Sequence, residues 1–129
     1  MRLWSVFTVT IRNKDHYMAC LWDWGFLDIC FGGTKIRVTD VDGLVERKGH
    51  FLLIEAKSSG APVPKGQSIM FDALVKNPKW SVLVVWGNTN KPEEALMWGN
   101  KLFKADEAKI QEIVHRWYND ANSTSRQGD

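Results

Sequence analysis

Apolar positions along the chain fall into short runs whose period changes from segment to segment. Residues 3–11 (LWSVFTVTI) are rich in β-branched and aromatic side chains and read as a strand. Asp15 is placed to cap a short helix running through Met18 and Leu21, and the Gly32, Gly33 pair then breaks the pattern. Residues 36–46 alternate weakly, Arg47, Lys48 and Gly49 make a polar turn, and residues 51–58 return antiparallel as the second arm of a hairpin. A Gly/Pro stretch (SSGAPVPKG) excludes regular structure before a helix over residues 67–76, whose apolar positions are Met70, Ala73 and Leu74 and which stops before Pro78. The nearly unbroken run WSVLVVW, residues 80–86, has the pattern of a strand covered on both faces. Two short strands are expected over residues 95–98 and 101–103. A final helix over residues 106–118 places Ile110, Ile113, Val114 and Trp117 on one stripe, with Glu112 and Arg116 spaced for an ion pair.

Strand, helix, strand in that order implies a crossover and a mixed sheet, so the fold class is α/β with a mixed central β-sheet flanked by helices. The length fits one domain over residues 1–120, and the polar, small-residue end, residues 121–129, reads as a disordered tail. With 44% hydrophobic residues, the chain can build a core without disulfides. No run of about 18 apolar residues suggests a membrane span, and no secretory signal is visible, so a cytoplasmic location without membrane contact is expected. Cys20 and Cys30 then read as buried free thiols. A zinc site from Cys20, Cys30, His16 and His50 would lack the paired short gaps of known ligand patterns.

The period of two in the hairpin decides which side chains share a face. Leu52, Ile54 and Ala56 take the core-facing side, Glu55 and Lys57 point the other way together, and Asp40 and Asp42 also share a side. Carboxylates in apolar strands are costly to bury without a positive partner, and a divalent cation is the natural one. Mg²⁺ takes oxygen ligands and keeps several waters, so Asp42, Glu55 and the backbone carbonyl of Ala56 suffice, with Asp40 as an accessory ligand or a backbone cap. Lys57 would orient or deprotonate an attacking water, or offset charge developing on a phosphate. Net charge is only +2, so any polyanion surface is local. Residues 35–65 carry six Lys/Arg against four acids, and Lys35, Arg37 and Lys65 are candidate phosphate contacts. The seven tryptophans lie mostly in apolar runs and read as core rather than as base-stacking platforms.

Asp42, the hairpin, and then Glu55, Ala56 and Lys57 resemble the core motif of the PD-(D/E)XK nuclease superfamily. The proline of that motif is absent. The continuation through Gly60, Pro62, Gly66 and Gln67 to the apolar strand is similar to the VRR-NUC branch, and the resemblance covers residues 34–87. It implies a restriction endonuclease-like core of order αβββαβ. It also implies a nuclease that cleaves duplex or branched DNA with Mg²⁺ or Mn²⁺, with Asp42 and Glu55 as metal ligands and Lys57 as the catalytic lysine. Gln67 resembles the helix glutamine that supports the site or contacts the DNA backbone, and with Phe71 it echoes a Q-x-x-x-Y pattern. No glutamate precedes Glu46, so only Asp15, Asp23 or Asp28 could serve as an extra upstream ligand. A catalytically inactive nucleic-acid-binding module of the same fold is the alternative. The small size points to dimerisation, or a larger complex, as the means of gaining substrate contacts.

Overall fold

A computed structural model describes residues 21–123. The chain divides into two compact units, Met1–Asp40 and Val41–Asp129. The strand expected over residues 3–11 and the helix cap at Asp15 lie outside the described residues, as do Cys20, His16 and residues 124–129. In the first unit, Trp24–Phe31 forms 3-10 turns that begin at Asp23, whose carboxylate accepts the Gly25 N–H at 2.8 Å, and end at Gly32 in the left-handed region. None of its residues is buried. Cys30 is exposed, a correction to the expected buried thiol: no apolar layer within this short segment covers it.

The second unit is built on a five-stranded mixed sheet in the order β1-β2-β3-β4-β5, comprising β1 (Gly43–Arg47), β2 (His50–Ser58), β3 (Trp80–Asn88), β4 (Lys91–Met97) and β5 (Phe103–Lys104). β1 and β2 form the expected hairpin. Its two-residue turn, Lys48 and Gly49, has both φ angles positive at 50° and 78°, the geometry whose twist matches that of paired strands. Arg47 therefore belongs to β1, opposite His50, rather than to the turn. β2 and β3 are parallel and are joined by α1 (Lys65–Val75), while β3, β4 and β5 are antiparallel neighbours. Two strands, not three, precede α1 among the described residues.

Both faces of the sheet are covered, because consecutive strand residues point to opposite sides. On one face Leu52, Leu83 and Ala95 pack with Ala105 and with Trp117 and Ala121 of α2 (Glu107–Ser123). On the other, Leu53, Val82, Val84 and Trp86 pack with Phe71 of α1. Burying Phe71, Leu52 or Leu83 fully contributes about 1.5–3 kcal/mol each. The unbroken apolar run of β3 is explained by its central place between two helix-covered faces.

Helix α2 extends five residues past the expected end at Tyr118. Ala121 continues the Trp117 stripe one turn on and is buried, and Asn122 ties the helix to the hairpin turn. Its side chain accepts from Arg47 Nε at 2.7 Å and its carbonyl from Lys48 Nζ at 3.0 Å. The Glu112–Arg116 ion pair forms at 3.2 Å on the exposed face. Gly87 stands at the β3–β4 bulge because there is no room for a side chain: a Cβ there would lie 2.3 Å from the Lys91 carbonyl oxygen.

Candidate active site

Phe51 donates its N–H to Lys79 at the start of β3, so odd-numbered residues of β2 face β3 through their backbone and even-numbered ones face β1. β1 begins only at Gly43, opposite Ile54, so the backbone of Ala56 projects past the end of its neighbour. The Asp42 carboxylate fills that place, accepting the Ala56 N–H at 2.9 Å from a bend just before β1. Asp42 is therefore not a strand residue, as the alternation over residues 36–46 had suggested. Ala56 is exposed and not core-facing, since neither helix reaches this end of the sheet's α2 face. Its carbonyl projects to the same edge as its N–H.

Glu55 and Lys57 point to the α1 face, on the side of Leu53. Glu55 is 7 % exposed and is the one charged or polar residue buried among those described. Gln67, in the first turn of α1, donates Nε2 to Glu55 Oε2 at 2.9 Å, and Lys57 Nζ lies 3.5 Å from the same oxygen. Phe71, one helical turn after Gln67, is fully buried and packs edge-to-face on Trp98 with ring centroids 5.1 Å apart. That anchor turns the Gln67 side of α1 toward the sheet. The loop before α1 is fixed as well: Trp86 Nε1 donates to the Ala61 carbonyl at 2.6 Å, and Ser59 Oγ to Glu93 at 2.5 Å.

Burial pushes the Glu55 carboxyl above the ordinary glutamate range. The hydrogen bond from Gln67 opposes this, the nearby Asp42 charge adds to it, and Lys57 opposes it through charge and hydrogen bonding. One lysine and one amide thus leave the Glu55 carboxylate undercompensated. Gln67 Oε1 is buried without a hydrogen-bond partner, an unmet acceptor that costs about 1–3 kcal/mol if nothing donates to it.

Two carboxylates, a carbonyl on the same edge and an orphaned amide oxygen make a hard, oxygen-rich donor set suited to Mg²⁺ or Mn²⁺ with its waters. Among the described residues no cluster of three or more His, Cys, Asp or Glu side chains could hold a metal, so the carbonyl and waters would have to complete this set. Asp42, Glu55, Ala56, Lys57 and Gln67 are brought together. Lys65 is exposed at the first residue of α1. Asp40, Lys35 and Arg37 belong to the first unit, where Arg37 ion-pairs with Asp28. Asp40 and Arg37 there line an open cavity of about 430 Å³ with Trp22 and Trp24. Those two tryptophans are exceptions to the core reading, which Trp80, Trp86, Trp98 and Trp117 follow. Their rings stack at 5.4 Å, and Trp22 is 73% exposed. Sequence reasoning passed over the Asp42 bond to Ala56 N–H and the loop pins at Ala61 and Ser59. The glycine directly after Asp42, which interrupts the strand pattern, is the signal for the first, and no local pattern marks the others. No helix among the described residues is long and apolar enough to cross a membrane. Comparison with family models, with curated proteins and with solved structures finds no match to this chain.

Proposed function

We propose that the protein is a metal-dependent nuclease of the PD-(D/E)XK type, hydrolysing DNA phosphodiester bonds, with the VRR-NUC branch as its nearest likeness. The observation that carries this reading is the buried Glu55 carboxylate, set beside Asp42 and contacted by both Lys57 and Gln67. Structural ion pairs seldom place a second acid next to a buried one, because like charges raise each other's cost of ionisation. Perturbed carboxyls of this kind are characteristic of catalytic sites.

In this reading Asp42, Glu55 and the Ala56 carbonyl would hold Mg²⁺ or Mn²⁺, which when bound would lower the pKa of a coordinated water and offset charge on the phosphate. Lys57 would stabilise the negative charge that builds on the non-bridging phosphate oxygens or orient the attacking water. The new bond joins water oxygen to phosphorus as the bond to the leaving sugar oxygen breaks, the attacking water giving up a proton to solvent and the leaving oxygen taking one from it. Gln67 holds Glu55 Oε2 in place and offers Oε1 to a donor such as a bound water. DNA is the expected partner, and a second copy of the chain is a route to a larger binding surface.

The Asp42 bond to the Ala56 N–H favours a second reading, in which Asp42 closes the end of the strand ladder and the fold binds nucleic acid without cleaving it. Incubation with duplex, single-stranded and branched DNA in Mg²⁺, Mn²⁺ or EDTA separates the two. Metal-dependent cleavage of any substrate supports the nuclease; intact DNA that still shifts on a gel supports the binding module.

A further inference from the structure

Lys57 and Gln67 reach the same oxygen of Glu55 from different elements, β2 and α1, with residues 58–66 between them. The path of that connection therefore decides whether the two groups meet. It turns at once: the Ala61 N–H donates to the Ser58 carbonyl at 3.0 Å, and Gly60 between them takes the left-handed region at φ 72°. Pro62 and Pro64 then restrict the backbone, with φ of Pro64 at −59°, and Val63 packs into the apolar layer under α1. The connection is a short strut, and its placement sets where α1 begins.

Trp86 of β3 stands at the foot of this strut. It is in register with Lys57 across the parallel β2–β3 pair, one strand spacing of about 4.8 Å away, and both side chains take the α1 face. Its ring is 8% exposed, and its Nε1 donates to the Ala61 carbonyl at 2.6 Å. An indole N–H can only donate, and a buried one needs an acceptor. A phenylalanine or a leucine would fill the same layer without that requirement. Packing alone therefore does not call for a tryptophan here, whereas the bond to the strut does. Ser59 adds a second pin from the exposed side of the turn, donating Oγ to Glu93 at 2.5 Å.

We propose that Trp86 is a positioning residue of the site: its ring stands beside Lys57 and its N–H holds the turn at Ala61, so that Lys57 and Gln67 close on one oxygen of Glu55. The consequence for rate rests on the nuclease reading, whereas the placement of Gln67 against Glu55 does not. Loss of the N–H keeps apolar cover over β3 but frees the turn, and a strut stiffened by two prolines carries the displacement on to Gln67. A misplacement of about 1 Å at a reacting centre can cost about 10²-fold in rate. Trp86 itself contacts neither metal nor phosphate in this account, so its loss should act on kcat and leave KM for DNA unchanged.

The Gln67 side-chain amide is the direct reporter, read by NMR in the metal-free protein and assigned by the loss of its signals in Gln67→Met. Trp86→Phe and Trp86→Leu are both expected to move those signals toward the positions of solvent-exposed amides. Ser59→Ala, which frees the other pin without touching the core, should move them the same way by less. Val82→Ala removes apolar volume from the same layer farther back along β3, and is expected to lower the melting temperature while leaving the Gln67 signals and kcat as in the parent. In the cleaving protein, Trp86→Phe should lower kcat by up to about 10²-fold with KM unchanged. Unmoved Gln67 signals in whichever Trp86 variant folds, or equal movement in Val82→Ala, would overturn the positioning role whatever the protein's activity. Moved signals in a protein that cleaves no DNA would keep the role and remove the nuclease reading.

Discussion

The two faces of the same sheet are built on opposite rules. Leu52 and Ile54 of β2 face a layer made wholly of apolar side chains from β3, β4, β5 and α2. One residue on along the strand, Leu53 enters an equally apolar layer under Phe71, but Glu55 and Lys57 follow it on that face and end the apolar layer in charge. The α2 face carries a 17-residue helix yet ends at an exposed Ala56, whereas the α1 face is covered by an 11-residue helix whose entry loop stands over the end of the strands. That loop leaves a sheltered margin where a carboxylate can be largely buried and still be reached from solution.

The sharpest way to break this contrast is to alter the charged margin. Glu55→Gln or Lys57→Ala should lower the cleavage rate by about 10²–10⁴-fold while circular dichroism and melting temperature stay near those of the parent; retained cleavage would remove that residue from the site. The apolar face should behave in reverse. Leu83→Ala, fully buried beneath α2, is expected to cost about 2–5 kcal/mol in denaturant unfolding. Its effect on cleavage per folded molecule should be small.

A smaller effect follows from the raised Glu55 carboxyl. The folded chain holds that proton more tightly than the unfolded one, so folding gains from it at low pH and loses that gain as pH rises through the ordinary glutamate range toward the raised value. Melting curves in EDTA should therefore show Glu55→Gln gaining on the parent as pH increases. Equal pH dependence of the two proteins would mean that burial leaves Glu55 unperturbed. Added Mg²⁺ or Mn²⁺ should raise the melting temperature of the parent and not that of Glu55→Gln. The smallest change is expected at the far end of the sheet. Lys48→Asn suits the positive φ at the turn but loses the bond to Asn122, so stability should move by only a few tenths of a kcal/mol.

Much of this division is legible in the amino-acid order. The β3 run announces burial on both faces, the Lys48–Gly49 turn announces the hairpin, and Glu55 and Lys57 share a face by strand parity, while Gln67 joins them only through the resemblance to the nuclease motif. Other features depend on partners distant in sequence. Ala121 lies among polar residues, and only the core beneath α2 shows why the helix continues past Tyr118. Leu53 falls on the face that alternation assigns to Glu55 and Lys57, and it is core because Phe71 of α1 covers it. Asp42 reads as a strand residue by alternation, whereas its carboxylate replaces a missing strand partner. Trp22 and Trp24 look like core by composition and stand exposed.

The most direct test of the account is the rate of DNA phosphodiester cleavage by parent and Glu55→Gln protein, measured side by side in Mn²⁺ and in EDTA. Cleavage by the parent in Mn²⁺ alone, absent in EDTA and in the variant, is the predicted result. Equal cleavage by both proteins, or none by the parent on any DNA form, would contradict it.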